Sequence, residues 1–227
     1  MKILFVSLGC DKNLVDSEEM LGDLMQAGYE ITDDEEEAEA AIVNTCCFIN
    51  DAKKESIESI LDLAPRRTSG QLKALVVAGC LAQRYSEEIF AEIPEVDAVI
   101  GTTAQETLRE TLDTILAGGG RKSEGSIAGE DRGKGSAEED SNNSSAGKES
   151  RSEATGNGGQ EFAARLPGKD VPSARQAPLL RLGDLRKKPR TDASRVLTTA
   201  NGYAYLRIAE GCGKNCTYCV IPSIRGP

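Results

Sequence analysis

The first 117 residues alternate between short apolar runs and longer segments with apolar residues at helical spacing. Continuous apolar runs are typical of strands that are buried on both faces of a parallel sheet. They predict strands at residues 2–8, 29–31, 40–44, 72–78 and 98–100. The helical pattern predicts four helices. The first is capped by Asp16 or Ser17 and ends near Gly28, and the second begins at about Asp51 and is stopped by Pro65. The third runs from Ser86 to before Pro94, and the fourth spans residues 105–116. This alternation predicts an α/β fold with a flavodoxin-like parallel sheet.

The composition changes abruptly at Gly118. Gly and Ser make up 21 of the 60 residues from 118 to 177, and large apolar side chains are scarce. Such a segment buries too little apolar surface to offset its ordering entropy, so we expect a disordered linker. Apolar content then returns, and residues 203–209 read as a strand. We therefore predict three parts: a domain at 1–117, a linker at 118–177, and the truncated start of a second domain at 178–227.

Charge is distributed unevenly along the chain. The net charge of −10 consists of −15 over residues 1–117, −1 over 118–177 and +6 over 178–227. The acidic first part lacks the cations that bind nucleic acid non-specifically. The basic residues 186–190 leave two interpretations open, a solvated linker or a contact with RNA or an acidic protein. No run of 18 apolar residues and no signal leader is present, so we expect a cytoplasmic protein that does not enter membranes.

The chain contains no histidine, which excludes Ser-His-Asp and Cys-His catalysis and His-ligated zinc. It does contain an odd number of cysteines, which argues against a disulfide framework and for metal or catalytic use. The seven are Cys10, Cys46, Cys47, Cys80, Cys212, Cys216 and Cys219.

Three of these cysteines form a compact motif, Cys212-x3-Cys216-x2-Cys219. Structural zinc sites usually have paired C-x2-C units, and bacterial ferredoxins have C-x2-C-x2-C. Three thiolates at the present spacing instead favour an iron–sulfur cubane with one iron open to a substrate or cofactor. The alternative is a set of cysteines that only pack.

The remaining cysteines follow predicted strands: Cys10 the first, Cys46 and Cys47 the third, and Cys80 the fourth. The carboxyl ends of parallel strands meet at one edge of a sheet, where α/β folds bind ligands. Cys10, Cys46 and Cys80 can therefore converge on a second cluster, although buried packing cysteines remain the alternative. Adjacent residues of an extended chain point to opposite sides, so Cys46 and Cys47 should not both be ligands. The pattern does not decide between them.

Four strips of sequence, taken together, resemble the methylthiotransferase family of radical S-adenosylmethionine enzymes. They are residues 7–18, 44–53, 77–84 and 210–226, and they leave only the predicted linker unmatched. Within the family, Asp11-Lys12-Asn13 and Phe48-Ile49 resemble the RimO-type branch, which modifies a small-subunit ribosomal protein. The tRNA-modifying MiaB-type branch typically reads Gly-Cys-Gln-Met-Asn at the first strip and has a basic residue where Phe48-Ile49 stand.

The resemblance implies a role for each cysteine triad. Cys212, Cys216 and Cys219 would bind a radical 4Fe-4S cluster whose open iron takes S-adenosylmethionine. Cys10, Cys46 and Cys80 would bind an auxiliary 4Fe-4S cluster that presents the sulfur. The whole enzyme would use a low-potential electron donor to methylthiolate the β-carbon of an aspartate in small-subunit ribosomal protein twelve. Residues 178–227 would begin a radical (β/α) barrel, so we expect the fragment alone to be inactive.

Two alternative functions are kept beside this one. The first is tRNA adenosine methylthiotransfer, which shares the chemistry and which we expect less. The second is an iron–sulfur electron carrier or scaffold, which would need no open iron and no S-adenosylmethionine. A flavin-binding module is disfavoured because residues 7–13 lack the Ser/Thr-rich phosphate cradle of a flavodoxin.

Overall fold

The computed structural model describes residues 1–118, 177–187, 190, 193–199, 202–214 and 216–227, all of which belong to one compact unit. Apart from its two end residues, the predicted linker lies outside the described residues. Six parallel strands form one sheet in the order β2-β1-β3-β4-β5-β6. The strands are β1 (Lys2–Ser7), β2 (Glu30–Thr32), β3 (Ala40–Thr45), β4 (Ala74–Gly79), β5 (Ala98–Ile100) and β6 (Leu179–Arg181). The first five follow the 2-1-3-4-5 order of flavodoxin-like folds, which confirms the predicted α/β class.

Helices pack against the sheet around strands β3, β4 and β5, every residue of which is buried. The helices are α1 (Asp11–Gln26), α2 (Asn50–Ser69), α3 (Cys80–Arg84), α4 (Ser86–Glu92), α5 (Leu108–Leu116, after a 3-10 turn at Gln105–Thr107) and α6 (Ile221–Arg225). One face of the sheet packs Ile3, Ile42 and Val76 against α1 and α5, through side chains such as Leu24 and Leu112. Across the described ranges, none of these helices has the length and apolarity needed to cross a membrane.

Two predicted helix boundaries are wrong. Helix α1 begins at Asp11, directly after Cys10, so Asp16 and Ser17 lie inside it and are buried rather than capping it. Helix α2 continues through Pro65 to Gly70, which ends it in a left-handed conformation (φ +84°). The turn beyond Pro65 is held by ion pairs, because Arg67 donates to both carboxylate oxygens of Asp97 at 2.6 and 2.7 Å. These long-range contacts outweigh the hydrogen bond that proline cannot donate.

The segment after the predicted linker adds a sixth strand to the same sheet. Strand β6 pairs in parallel with β5, in the register Ala98 to Leu179 and Ile100 to Arg181. The strand predicted at residues 203–209 is not formed. A strand needs a neighbour for its backbone groups, whereas the Tyr205 carbonyl accepts from the Arg195 side chain at 2.6 Å. The division of the chain into domains at residues 117 and 178 stays a prediction.

Candidate functional site

The loops that carry Cys10, Cys46 and Cys80 all leave the carboxyl edge of the sheet, after the neighbouring strands β1, β3 and β4. Cys10 precedes the first turn of α1 and is exposed. Cys46 is 5% exposed, and both its N–H and its carbonyl lie 3.0 Å from the Ser56 hydroxyl of α2. Cys80 opens α3 and is also 5% exposed. The fold therefore brings the three predicted loops to one edge, as the strand pattern indicated.

Two glycines allow these loops to approach each other closely. Gly9 has a φ of +96°, and a Cβ added to it would lie 2.6 Å from the Cβ of Cys46. Gly79 has a φ of +93°, and its added Cβ would lie 2.3 Å from the Asn44 side-chain oxygen. Side chains other than hydrogen are strained in this part of backbone space and would also collide here. Glycine is thus required beside both Cys10 and Cys80.

Asn13, on the first turn of α1, joins all three cysteine loops. Its side-chain Nδ2 donates to the Leu8 carbonyl at 2.9 Å and to the Thr45 carbonyl at 2.8 Å. Its Oδ1 lies 3.6 Å from the Cys80 sulfur, which donates to it. The residue is fully buried, so these contacts replace water for every polar atom involved. One amide therefore sets the spacing of the loops that follow β1, β3 and β4.

Cys46 and Cys47 are equally buried but have different neighbours. The Cys46 side chain packs against Gly9, on the side of Cys10. The Cys47 thiol donates to the Cys80 carbonyl at 3.3 Å, and burial raises its pKa, while Arg84 acts in the opposite direction. The Cys46 side chain therefore contacts the Cys10 loop, whereas the Cys47 sulfur is engaged by a backbone carbonyl of the Cys80 loop.

The three cysteine loops at this edge suit a thiolate-bound cluster, because iron–sulfur clusters are held by cysteine thiolates. Burial raises the pKa of Cys80 to about 12, against the opposing effect of Arg225, so the free thiol is protonated at neutral pH. Among the described residues, no three potential ligands lie within reach of one metal ion. The structure thus brings the loops together without assembling their sulfurs into a closed site, and the assignment of ligands stays a prediction.

The second motif, Cys212-x3-Cys216-x2-Cys219, lies on a loop whose two ends are hydrogen-bonded to each other. Cys212 N–H donates to the Gly226 carbonyl at 2.9 Å, and Cys219 N–H donates to the Cys216 carbonyl at 3.1 Å. A Cβ on Gly211 would lie 1.7 Å from the Gly226 carbonyl oxygen, so only glycine fits this closure. Cys216 is exposed, and Cys212 and Cys219 are partly exposed. Three accessible thiols on one closed loop are suited to hold one face of a cluster.

A buried charge cluster lies between the two motifs. The Asp16 carboxylate accepts from Arg207 at 2.6 Å and from Arg225 at 2.5 Å, and the same Arg225 nitrogen donates to Glu210 at 2.6 Å. Asp16 and Arg225 are at most 3% exposed. Burial acts to lower the pKa of Arg225, but Asp16 and Glu210 raise it above its ordinary value, so the guanidinium stays charged. Arg207 also contacts Glu19.

The acidic and basic parts of the sequence contact each other in the structure. Among the described residues, four acidic residues of α1 form five ion pairs with arginines of the carboxyl-terminal segment: Asp16 with Arg207 and Arg225, Glu18 with Arg195, Glu19 with Arg207, and Asp23 with Arg190. Glu18 also accepts from the Thr198 N–H at 2.7 Å. Within the predicted basic stretch, Lys187 pairs with Glu106 and Arg190 with Asp23. These two basic residues of the described chain are therefore engaged internally.

Sequence reasoning missed the roles of Asn13, Asp16 and Arg225. A signal was present in α1, because Asn13, Asp16 or Ser17, Met20 and Leu24 recur at helical spacing on its buried face. Polar residues at the start of an otherwise apolar face indicate a buried polar site near the sheet edge. Arg225 offered no comparable signal, because its partners Asn13 and Asp16 lie more than 200 residues away along the chain.

One protein-family model matches the first part of the chain. Residues 2–101, which include β1 to β5 and the loops of Cys10, Cys46 and Cys80, match the uncharacterized protein family UPF0004.

Similarity to curated proteins extends over the whole chain. The chain is 45% identical over 226 residues to the ribosomal protein uS12 methylthiotransferase RimO of Lachnoclostridium phytofermentans. The aligned residues make up 100% of this chain and 38% of that protein. The chain is 41% identical to the protein of the same name from Trichlorobacter lovleyi and 40% identical to that from Pelotomaculum thermopropionicum, with the same coverage. The chain therefore corresponds to an amino-terminal part of these relatives, about two fifths of their length.

Proposed function

Because the chain is a relative of the RimO-type uS12 methylthiotransferases over its full length, we propose that it is the amino-terminal part of an enzyme that adds a methylthio group to ribosomal protein uS12. The observation that carries the proposal is this full-length similarity, because it includes both cysteine motifs and not the first domain alone. The target atom would be the β-carbon of an aspartate. The enzyme would work in the cytoplasm with a low-potential electron donor.

The cofactors would be two 4Fe-4S clusters and S-adenosylmethionine. Cys10, Cys46 and Cys80 would hold the auxiliary cluster, and Cys212, Cys216 and Cys219 the radical cluster. When bound, these groups would supply the radical that activates the substrate carbon and the sulfur that is transferred. The chain's own contribution would be the six thiolates that hold the two clusters and the contacts that position their loops.

Several contacts support the assignment of the six cysteines to two clusters. Asn13 holds the loops of the first triad at a constant spacing, and Gly9 and Gly79 let their backbones approach. Cys46 faces the Cys10 loop while the Cys47 thiol is engaged by backbone, which favours Cys46 as the ligand. In the second triad, the close approach of Gly211 to Gly226 closes a loop on which Cys216 is exposed and Cys212 and Cys219 are partly exposed, so an incoming cluster could reach them.

The substrate preference rests on relatives rather than on surface charge. An acidic first domain would attract a basic ribosomal protein, but four α1 carboxylates are already engaged by arginines of the same chain. Phe48 and Ile49 are more than half exposed beside the Cys46 loop and could contact an approaching polypeptide.

Cluster content can be measured on this chain directly. Anaerobic reconstitution with iron and sulfide should load about eight irons per chain, as two cubanes. Cys80→Ala should lose only the auxiliary half, and Cys216→Ala only the half held by the second motif. Wild-type chain that saturates at half this iron content would contradict the presence of two sites.

Substrate choice requires the full-length gene product. Given S-adenosylmethionine and a low-potential reductant, it should add a methylthio group to a peptide that copies the aspartate loop of uS12. It should leave isopentenyladenosine or threonylcarbamoyladenosine tRNA unchanged. Mass spectrometry of both substrates decides the matter, because modification of the tRNA alone would overturn the protein substrate while keeping the reaction class.

A further inference from the structure

Arg225 lies six residues after Cys219, yet its guanidinium reaches the first cysteine motif. One nitrogen, Nη1, donates to Asp16 at 2.5 Å and to Glu210 at 2.6 Å, and the other, Nη2, donates to Asn13 Oδ1. Asn13 Oδ1 is the same atom to which the Cys80 thiol donates. A continuous set of buried contacts therefore runs from the second cysteine loop to all three loops of the first.

We propose that Arg225 is a positioning residue that couples the second cysteine loop to the first triad by fixing the side chain of Asn13. The description of the two triads as clusters rests on the proposed function, whereas the mechanical coupling does not. The amide of Asn13 can rotate about its last side-chain bond, and its two ends are chemically different. Because Arg225 only donates, it holds Oδ1 toward itself and Cys80 and leaves Nδ2 to the Leu8 and Thr45 carbonyls.

The arginine itself is held firmly. Its side chain is 2% exposed, and Asp16 is held in turn by Arg207. The planar fork of a guanidinium contacts acceptors in two directions at once, which a lysine ammonium on a flexible stem does not reproduce. The second loop is also tied to Arg225 by backbone, because Cys212 N–H donates to the neighbouring Gly226 carbonyl. A shift of either motif should therefore be felt by the other.

The chain offers a matched control. Arg190 donates to Asp23 at 2.7 Å, so it also joins the carboxyl-terminal segment to α1. That pair is about a quarter exposed and involves neither Asn13 nor a cysteine. Arg190→Gln therefore removes an ion pair between the same two parts of the chain without disturbing the proposed coupling. Arg225→Lys keeps the charge of Arg225 and removes only the fork.

The first experiment needs no metal. Hydrogen–deuterium exchange on the reduced, metal-free chain should show that Arg225→Gln speeds exchange at the amides of residues 8–10, 45–47 and 80 by at least about tenfold. Arg225→Lys should speed exchange at the same amides, and Arg190→Gln should leave them at the wild-type rate. Unchanged exchange at residues 8–10 and 45–47 in both Arg225 variants would overturn the proposal. Retained far-ultraviolet circular dichroism would show that the variants fold, and Arg225→Lys serves if Arg225→Gln does not.

The second experiment examines the first triad with its iron–sulfur cluster bound. In reconstituted chain with Cys216→Ala, which keeps only the first triad, Arg225→Lys should change the electron paramagnetic resonance spectrum of the reduced cluster, and Arg190→Gln should not. An identical spectrum in the Arg225 variant would contradict the coupling. Failure of the Cys216→Ala chain to load any iron would instead count against the proposed function, and the exchange experiment would still decide the role of Arg225.

Discussion

Replacing Asp16 by Asn should destabilise this chain far more than the same change at Asp23. Asp16 is 1% exposed and lies between Arg207 and Arg225, whereas Asp23 is 24% exposed and, within the described ranges, forms an ion pair with Arg190 only. Removing one partner of a buried ion pair costs about 3–5 kcal/mol, since the other charge stays buried. Because Glu210 and Glu19 still contact the two arginines, we expect the lower end, about 3 kcal/mol.

The matched change at Asp23 removes a partly exposed pair, so we expect a cost below about 1 kcal/mol. Urea unfolding of the metal-free chain, followed by circular dichroism, measures both. With a slope of about 2 kcal/mol per molar, Asp16→Asn should lower the midpoint by about 1.5 M and Asp23→Asn by less than about 0.5 M. Equal midpoints for the two variants would refute the view that the buried cluster holds the carboxyl-terminal segment in place.

Three further predictions concern single positions. Cys46→Ser should lose the first cluster on reconstitution, while Cys47→Ser should keep its iron and lose about 1 kcal/mol of unfolding free energy in urea. If instead Cys47→Ser loses the iron and Cys46→Ser keeps it, Cys47 is the ligand. Gly79→Ala should cost more unfolding free energy than Gly28→Ala, because both have positive φ but only Gly79 has atoms in the way; equal costs would contradict the close approach. Burial acts to raise the pKa of Glu18, but hydrogen bonds from the carboxyl-terminal segment lower it overall from 4.5. The contribution of ionised Glu18 to stability is therefore complete above pH 4.5 and lost as the pH falls below that value. The difference in urea midpoint between wild type and Glu18→Gln should accordingly shrink below pH 4.5. A difference independent of pH would contradict this expectation.

The central strands were predictable from sequence because their burial leaves a direct trace, whereas the strand predicted at residues 203–209 is not formed. Strands β3 and β4 are buried on both faces, and only continuous apolar runs satisfy that environment. Helix ends were less predictable. The start of α1 depends on Cys10 preceding the first turn, and the passage of α2 through Pro65 depends on ion pairs with distant residues. Local propensity cannot register such contacts.

The sequence by itself determined the fold class and the two cysteine motifs, because both are written in local spacing: apolar runs of strand length, cysteines after strands, and three thiols within eight residues. It also revealed the opposite charges of the two ends of the chain. Only the tertiary structure decided where those charges meet. Asp16, Asn13 and Arg225 form one buried cluster across more than 200 residues of chain. Polar groups removed from water must find partners in space, and such partners leave no periodic trace along the sequence.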